Sequence, residues 1–334
     1  MKTWKSEIIT TATVYCAALG ASAADLPGTK NSLHWPQPGG AWNLPLSGGT
    51  NLAMVWIQPG TFLMGSPADE PGRSPDESPQ TEVTLTQGYW LGKTHVTIGQ
   101  WKQVMGVGVR DQLIKQIGND TLYALGGKQQ TLRDLMNWDR TVDPTTYLAN
   151  ENDDLPMYFI SWNDAMEFAR TLDVHERAAG RLPAGYEYSL PTEAQWEYAG
   201  RAGTTGPTYA GPTTEAVLDK ITWYEKNSAA EYVGKRIGHT RSGPRAVGQK
   251  QPNAWGLHDM YGNIWQWCRD WYGPYPGGNV TDPIGPVSGP ARVNRGGSFG
   301  SGANSERSAN RALNPQPEAS AYRGFRLALC PVTP

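Results

Sequence analysis

Histidine and cysteine are the side chains of this chain that could hold a redox metal, and both are scarce. The chain has 5 His and 3 Cys. No two histidines are spaced i,i+4 or as His-x-His, the spacings that place two ligands on one face of a helix or strand. A copper or iron site could still assemble from distant residues, and His258 beside Asp259 is the best starting point. His239 and Cys268 would then be the further ligands, whereas a structural histidine in a turn is the alternative.

Paired carboxylates are the groups that would carry acid–base catalysis. Glu193, Glu197 and Asp164 are the candidates, but they lie in segments with helical periodicity, where capping and a solvent-exposed face are the expected roles. The sequence contains no Gly-x-Ser-x-Gly elbow, no phosphate-binding loop and no His-Glu-x-x-His motif. These residues alone therefore do not name a reaction.

A small polar loop near the C-terminus is suited to binding a ligand. It follows the turn Gly296-Gly297-Ser298 and reads GSGANSERSANR over residues 300–311. Its side chains can donate and accept hydrogen bonds, and its arginines suit anions. The alternative is structural: Ser298 would close a turn, and Arg311 would form an ion pair inside the fold.

Three helices are predicted to position these residues, and each has a capping signal. Thr97 precedes an amphipathic stretch. Ser161 begins the next helix with a variant of the capping box, and Thr192 with Gln195 begins the third with the box itself. Alternating apolar residues predict a hairpin over 52–64 and a strand over 81–91.

Bulk composition narrows the class of protein. With 39 Gly and 26 Pro the chain is rich in turns, and 14 Trp against 5 Phe indicates aromatic clusters beneath long loops. The fold class is therefore mixed α+β with low regular secondary structure. A net charge of −2 gives no electrostatic attraction to nucleic acid. No stretch approaches the roughly 20 apolar residues that span a bilayer.

The N-terminus is typical of an export signal. Lys2 and Lys5 form a positive region, an apolar stretch follows, and Ala21-Ser22-Ala23 is a small-residue cleavage site. Residues 1–23 are therefore predicted to be a signal peptide, which places the mature protein in the periplasm or outside the cell. A disordered tail is the alternative. Residues 24–50 are rich in Pro and Gly and are expected to form an extended lead-in.

Seven segments, taken in order, resemble the formylglycine-generating enzyme family, also called sulfatase-modifying factors. They are VWIQPGTFLMGS, KTHVTIGQW, ISWNDAMEF, LPTEAQWEYAGRAGTT, NAWGLHDMYGNIWQWCRDWY, RVNRGGSF and YRGFRLAL. The resemblance implies that family's fold, a single-domain variant of the C-type-lectin-like fold, over residues 51–331. Against the family pattern, residues 106–150 form an insertion.

The family enzymes carry structural calcium, and the resemblance implies one such site here. Its ligands would be the Asp259 carboxylate, the carbonyls of Gly262 and Ile264, and the side-chain oxygen of Gln266. Calcium takes about six to eight oxygen ligands of these kinds. The family has an acid at the position of Gln266, so the alternative is a hydrogen-bonded turn in which backbone amides satisfy Asp259.

The best-known chemistry of the family does not carry over. The family enzyme binds copper through two cysteines of the loop after Gly-Gly-Ser and uses oxygen to convert a substrate cysteine to formylglycine. Here that loop contains no cysteine. The first cysteine position falls on Ser301, or on Gly300 if the loop is shifted, and the second has no counterpart. Soft thiolates suit Cu(I), whereas a hydroxyl does not. The candidate site is instead a groove formed by Trp265, Ser298, Ser301, Asn304, Arg307 and Arg311.

Two hypotheses from different classes remain at this point. The first is an exported, non-canonical protein-modification, oxidation or maturation factor that acts on a protein or peptide partner without cysteine–copper chemistry. The second is a non-catalytic, lectin-like module that binds a peptide, a glycan or a protein. Whether the chain is an enzyme is therefore open on sequence alone.

Overall fold

The computed structural model describes residues 41–46, 49–120, 122–125, 128–135, 141, 143, 148, 151–229 and 242–332. The predicted signal peptide, most of the predicted lead-in and His239 lie outside these residues. The described residues fall within one compact unit, Trp35–Pro334.

A five-stranded antiparallel sheet joins the two ends of the described chain. Its strands are β1 (Ala41–Pro45), β2 (Asn51–Ile57), β5 (Tyr89–Gly92), β14 (Ala328–Pro331) and β8 (Tyr186–Ser189), in that spatial order. The last residues of the predicted lead-in belong to this sheet instead, because β1 pairs with β2 and buries the side chain of Leu44. The first sheet therefore extends into the predicted lead-in, as far as Ala41 among the described residues.

A second sheet carries the segments that resemble the family most closely. Its order is β12 (Arg311–Asn314), β11 (Arg292–Arg295), β9 (Trp265–Trp271) and β13 (Arg323–Phe325), and β13 runs parallel to β9. A third sheet contains β10 (Gly278–Thr281), β4 (Thr81–Leu85) and β3 (Gly60–Met64), and β6 (Tyr123–Leu125) pairs with β7 (Lys128–Gln130). The predicted hairpin is therefore split, because β2 and β3 belong to different sheets.

The three predicted helices are present, with the predicted caps. They are α1 (Ile98–Met105), α4 (Trp162–Ala178) and α5 (Glu193–Arg201). The side chains of Thr97, Ser161 and Thr192 each accept a hydrogen bond from the backbone amide three residues on. The described residues also contain α2 (Val109–Ile117), α3 (Leu132–Leu135) and α6 (Glu215–Ile221).

Two large hydrophobic clusters and a small third one lie within the described residues, and aromatic rings contribute to each. In the first, Trp101 of α1 stacks on Phe168 of α4 at 5.6 Å between ring centroids, and Phe325 packs edge-on against both rings. The second is built around the fully buried Trp196 of α5. The α+β class with aromatic clusters beneath loops is confirmed.

The predicted insertion is described only in part. Its helix α2 packs on the start of α4, where Lys115 and Gln116 both donate hydrogen bonds to the Asp164 carboxylate. Across the described part of the chain, no helix is long and apolar enough to cross a membrane.

Candidate functional site

Two serines form the centre of the polar loop. The hydroxyl oxygens of Ser298 and Ser301 lie 2.9 Å apart, and the backbone amide of Ser298 donates to the Ser301 hydroxyl at 3.1 Å. Ser298 is buried, whereas Ser301 is half-buried. Gly296 and Gly297 precede the pair with φ of 100° and 78°, a backbone conformation that favours glycine. The glycine pair therefore turns the chain so that the two hydroxyls meet.

Neighbouring segments hold this loop by its backbone. The amide of Glu225 donates to the Ser301 carbonyl at 3.1 Å, and the Ser228 hydroxyl donates to the Phe299 carbonyl at 2.7 Å. The amide of Phe299 donates to the Asn263 carbonyl at 2.7 Å. Ser301 is therefore carried by a loop with fixed anchors rather than by a free end.

A buried carboxyl group lies beneath the glycine pair. Glu306 is fully buried, and its Oε2 accepts a hydrogen bond from the Thr222 hydroxyl at 2.9 Å. Its Oε1 has no hydrogen-bond partner among the described residues. Burial raises the pKa of Glu306 well above its usual value, and the nearby Glu225 raises it further. Burial therefore favours the protonated form of this carboxyl.

The space for this carboxyl comes from two glycines that are distant in sequence. A Cβ atom on Gly297 would lie 2.3 Å from Glu306 Oε1, and a Cβ atom on Gly262 would lie 1.9 Å from the Thr222 hydroxyl oxygen. No side chain fits at either position without displacing these oxygens. Sequence reasoning missed Glu306, because nothing in the polar loop signals its burial.

Aromatic rings border the other side of the loop. Tyr322 packs on Phe299 with ring centroids 4.8 Å apart, and a Cβ atom on Gly300 would lie 2.8 Å from the Tyr322 ring. The Trp265 amide donates to the Tyr322 carbonyl at 2.7 Å. Tyr322 was also missed as a site residue, although it begins the quoted segment YRGFR.

The two arginines of the predicted groove point into the fold. The Arg307 guanidinium is fully buried and donates to Glu70 at 2.6 Å and to Glu77 at 2.5 Å. Arg311 donates two hydrogen bonds to Glu193, at 2.6 and 2.8 Å. Both guanidinium groups are already paired with carboxylates. Arg311 therefore forms an ion pair inside the fold, which was the structural alternative to ligand binding.

Asn304, in contrast, is exposed. Its side chain lies beside Gly72, where a Cβ atom would be 2.5 Å from the Asn304 oxygen. The predicted groove therefore divides into two sets: Trp265, Ser298 and Ser301 lie around the loop, while Arg307 and Arg311 fasten its C-terminal part.

The prediction of solvent-exposed carboxylates on the helices was wrong. Glu193, Glu197 and Asp164 are 4%, 0% and 4% exposed. The buried acids Glu70, Glu77, Glu193 and Glu197 pair with the buried guanidinium groups of Arg201, Arg295, Arg307 and Arg311. Buried charges persist only when they are paired in this way. Asp164 does have the predicted capping role.

The turn expected to bind calcium is filled by hydrogen-bond donors. Gln266 Oε1 accepts from Trp196 at 2.8 Å and from Arg326 at 3.0 Å. The Ile264 carbonyl accepts from His95 at 2.9 Å. The fully buried Arg326 also donates to the Asp259 carbonyl at 3.2 Å. A guanidinium therefore supplies positive charge within this set of oxygens.

Asp259 retains one feature that a cation would satisfy. Its Oδ2 accepts from the Gly248 amide at 2.6 Å, while Oδ1 is buried without a donor among the described residues. Burial raises the pKa of Asp259. With Gln266 saturated and Arg326 adjacent, the four residues do not fit the expected calcium ligand set. Calcium at this turn stays a prediction without support from the donor set.

Histidine and cysteine do not assemble around the loop. His258 Nδ1 is hydrogen-bonded to the Lys250 carbonyl at 2.8 Å. Cys268 and Cys330 are free, buried thiols, and burial raises the pKa of both, that of Cys330 to about 12. In the part of the chain that is described, no three His, Cys, Asp or Glu side chains are grouped as metal ligands.

Comparison with known proteins agrees with the fold. The chain is 36% identical over 185 residues to a formylglycine-generating enzyme of Streptomyces coelicolor. The aligned region covers 52% of each chain, so this chain spans about half of that relative's length. It is 30% identical over 206 residues to the chaperone protein LppX of Paenibacillus barcinonensis, covering 57% of this chain and 64% of the relative.

A solved structure has the same overall arrangement. The structure of PvdO from Pseudomonas aeruginosa has a TM-score of 0.63 at 24% identity and covers 88% of this chain and 99% of that one. The family model of the sulfatase-modifying factor enzyme 1-like domain matches residues 45–330. Because this match extends over most of the sequence, the chain belongs to the sulfatase-modifying factor family.

Proposed function

We propose that this protein is an exported, non-canonical modification or maturation factor, which acts on another exported protein without cysteine–copper chemistry. The observation that carries the proposal is the loop itself. Ser301 falls at the first cysteine position of the family pattern, its hydroxyl contacts that of Ser298, and the buried Glu306 carboxyl has an oxygen without a partner among the described residues. Membership of the family supports a protein substrate, because relatives bear the names formylglycine-generating enzyme and chaperone protein.

The side chains at the loop do not fit copper as the family enzyme holds it. Cu(I) prefers thiolate ligands, and the loop offers the hydroxyls of Ser298 and Ser301 instead. The thiols of Cys268 and Cys330 are buried in strands β9 and β14, and their raised pKa values keep them protonated. No step of the proposed function therefore uses a thiolate-bound metal.

The hydroxyl pair and the carboxyl support chemistry that donates hydrogen bonds and protons. Ser301 is the half-buried member of the pair, so its hydroxyl is the group nearest to a bound peptide. Burial raises the pKa of Glu306, which disfavours the ionised form that would serve as the base for a serine nucleophile. This carboxyl can supply a proton or accept a hydrogen bond beneath the loop. The loop therefore suits polarisation of a substrate carbonyl or amide.

Export supports a substrate in the same compartment. The predicted signal peptide, residues 1–23, carries this part of the proposal, together with the cleavage-site residues Ala21-Ser22-Ala23. A maturation factor must meet its substrate after both have crossed the membrane. Detection of the mature chain beginning at Ala24 in the periplasmic or secreted fraction is the expected result, and a chain retained in the cytoplasm would contradict it.

A comparison of exported proteins in the host tests the proposal. Peptide masses are recorded from a strain lacking the gene and from the same strain with the wild-type gene restored. We expect at least one exported protein whose peptide mass, or whose folded and active fraction, depends on the gene. If no exported protein changes, the alternative of a lectin-like binding module is favoured and a maturation role is wrong.

An in vitro assay separates this proposal from the family's oxidase chemistry. The purified protein is incubated with a cysteine-containing peptide, copper and oxygen, and the peptide is examined by mass spectrometry for an aldehyde. We expect no aldehyde. Formation of formylglycine would overturn the statement that the loop works without cysteine–copper chemistry.

A further inference from the structure

A cavity of about 170 Å³ lies between the start of α5 and the last strand, β14. Its walls include Leu85, Gln195, Arg269, Ile284, Cys330 and Val332. None of its lining residues belongs to the loop of residues 296–311. The volume equals that of roughly six water molecules in the liquid, which is enough for the head of a small organic ligand.

Arg269 is the charged donor of this cavity. Its nearest carboxylate is that of Glu187, at 3.8 Å between nitrogen and oxygen, which is too long for a hydrogen bond. No described residue accepts a hydrogen bond from its guanidinium, whereas Arg307 and Arg311 use theirs on buried carboxylates. A guanidinium presents a planar fork of N–H groups that matches a carboxylate.

Gln195 offers a second donor to this cavity, and Asp282 contributes a carboxylate. Gln195 Oε1 accepts from the Thr192 amide at 2.9 Å and from the Cys330 thiol at 3.5 Å. Its side-chain NH₂ group has no acceptor among the described residues. Asp282 also lines the cavity, but its two oxygens accept from the Thr86 amide and hydroxyl at 2.9 and 2.5 Å.

Apolar side chains border the same space. Leu85 is buried in the wall, and Ile284 and Val332 are 47% and 46% exposed. Large aliphatic side chains left in water beside a cavity favour a ligand that covers them. The ligand therefore combines a carboxylate with a short apolar group.

We propose that this cavity binds the carboxylate of a small apolar acid, or of a peptide that ends in an apolar residue. The Arg269 guanidinium takes the carboxylate, the Gln195 amide donates a further hydrogen bond, and the apolar group lies against Ile284 and Val332. The site is independent of the function proposed for the Ser298–Ser301 loop.

Titration of the full-length mature protein with N-acetyl-leucine tests the proposal, with N-acetyl-leucinamide as the uncharged control. Binding is followed by calorimetry or by NMR. We expect saturable binding of the acid and at least about tenfold weaker binding of the amide. The substitution Arg269→Gln should weaken binding of the acid by a similar factor. Arg170→Gln, at an exposed arginine of α4, should leave it unchanged.

A second variant separates the apolar part of the site from its charge. Ile284→Ser should weaken binding of N-acetyl-leucine but leave binding of acetate unchanged. A leucine-terminated tetrapeptide that binds more tightly than N-acetyl-leucine would identify a chain terminus as the natural ligand, and equal affinity would identify the free acid. Equal binding of acid and amide, unchanged binding by Arg269→Gln, or no saturable binding would each overturn the proposal.

Discussion

The Oε1 atom of Glu306 lies 2.3 Å from the position that a Cβ atom would take on residue 297, so it occupies the space that any residue other than glycine would need there. This contact couples the glycine pair to the buried carboxyl. The left-handed φ of 78° at Gly297 adds a second reason for glycine there. The same two residues therefore determine the path of the loop and the space for its acid.

The substitution Gly297→Ala is expected to be far more destabilising than an ordinary glycine substitution at positive φ. Backbone strain alone costs about 1–2 kcal/mol, and overpacking against Glu306 adds about 1–3 kcal/mol. The measurement is the free energy of unfolding by urea. Gly180→Ala is the matched control, because Gly180 has φ of 68° with nothing within 4 Å of its Cβ position. Equal losses in the two variants would show that the contact with Glu306 is not limiting.

Asp270 should make the fold less stable as the pH rises. Burial and the nearby Glu193 raise the pKa of Asp270 to about 7, while Arg269 lowers it. The folded state therefore binds this proton more tightly than the unfolded state, so the contribution is present below about pH 4 and is lost as the pH rises through about 7.

Asp270→Asn should remove this dependence, because an amide oxygen can still accept the hydrogen bond that the Glu193 amide donates at 2.8 Å. Urea unfolding of the wild type and the variant at pH 5 and pH 8 is the measurement. We expect the variant to gain stability relative to the wild type at pH 8, and not at pH 5. The same difference at both values would exclude Asp270 as the titrating group.

Chelation is expected to leave the thermal stability of the protein unchanged. The physical reason is that Arg326 supplies positive charge to the turn of Asp259 and donates to the Gln266 oxygen at 3.0 Å. The measurement is the Tm with EDTA and after calcium is added back. A Tm that falls with EDTA and returns with calcium, but not in Asp259→Asn, would restore the calcium site implied by the family resemblance.

The helices and the family could be predicted from sequence because their signals are local. Thr192 and Gln195 form a capping box that needs no information from elsewhere in the chain, and the structure contains that cap. By the same logic, β1 was missed because it depends on pairing with β2, while its own residues are surrounded by Pro and Gly.

The buried site residues could not be predicted because their environment comes from distant segments. Glu306 is buried by Gly262, Gly297 and Thr222, none of which lies within eight residues of it. From the sequence, Arg307 is expected to be a surface arginine. Its partners Glu70 and Glu77 precede it by 237 and 230 residues in the chain, so their contact appears only in the folded structure. Composition and periodicity do not report contacts of this kind.

We propose that the Ser298–Ser301 loop, with Glu306 beneath it, modifies or matures another exported protein. Complementation of a strain lacking the gene by point variants tests it most directly. Glu306→Gln keeps the shape of the side chain and an oxygen that can accept from Thr222, but it removes the titratable carboxyl. Ser301→Ala removes the half-buried hydroxyl. Arg170→Gln is the control variant.

Peptide masses and activities of the exported proteins are compared among these strains, with the amount of each variant checked by immunoblot. We expect that Arg170→Gln restores the gene-dependent change. Ser301→Ala and Glu306→Gln should fail to restore it although the proteins accumulate normally. Full restoration by both loop variants would contradict the role proposed for the Ser298–Ser301 loop, because the loop would then have no part in the function.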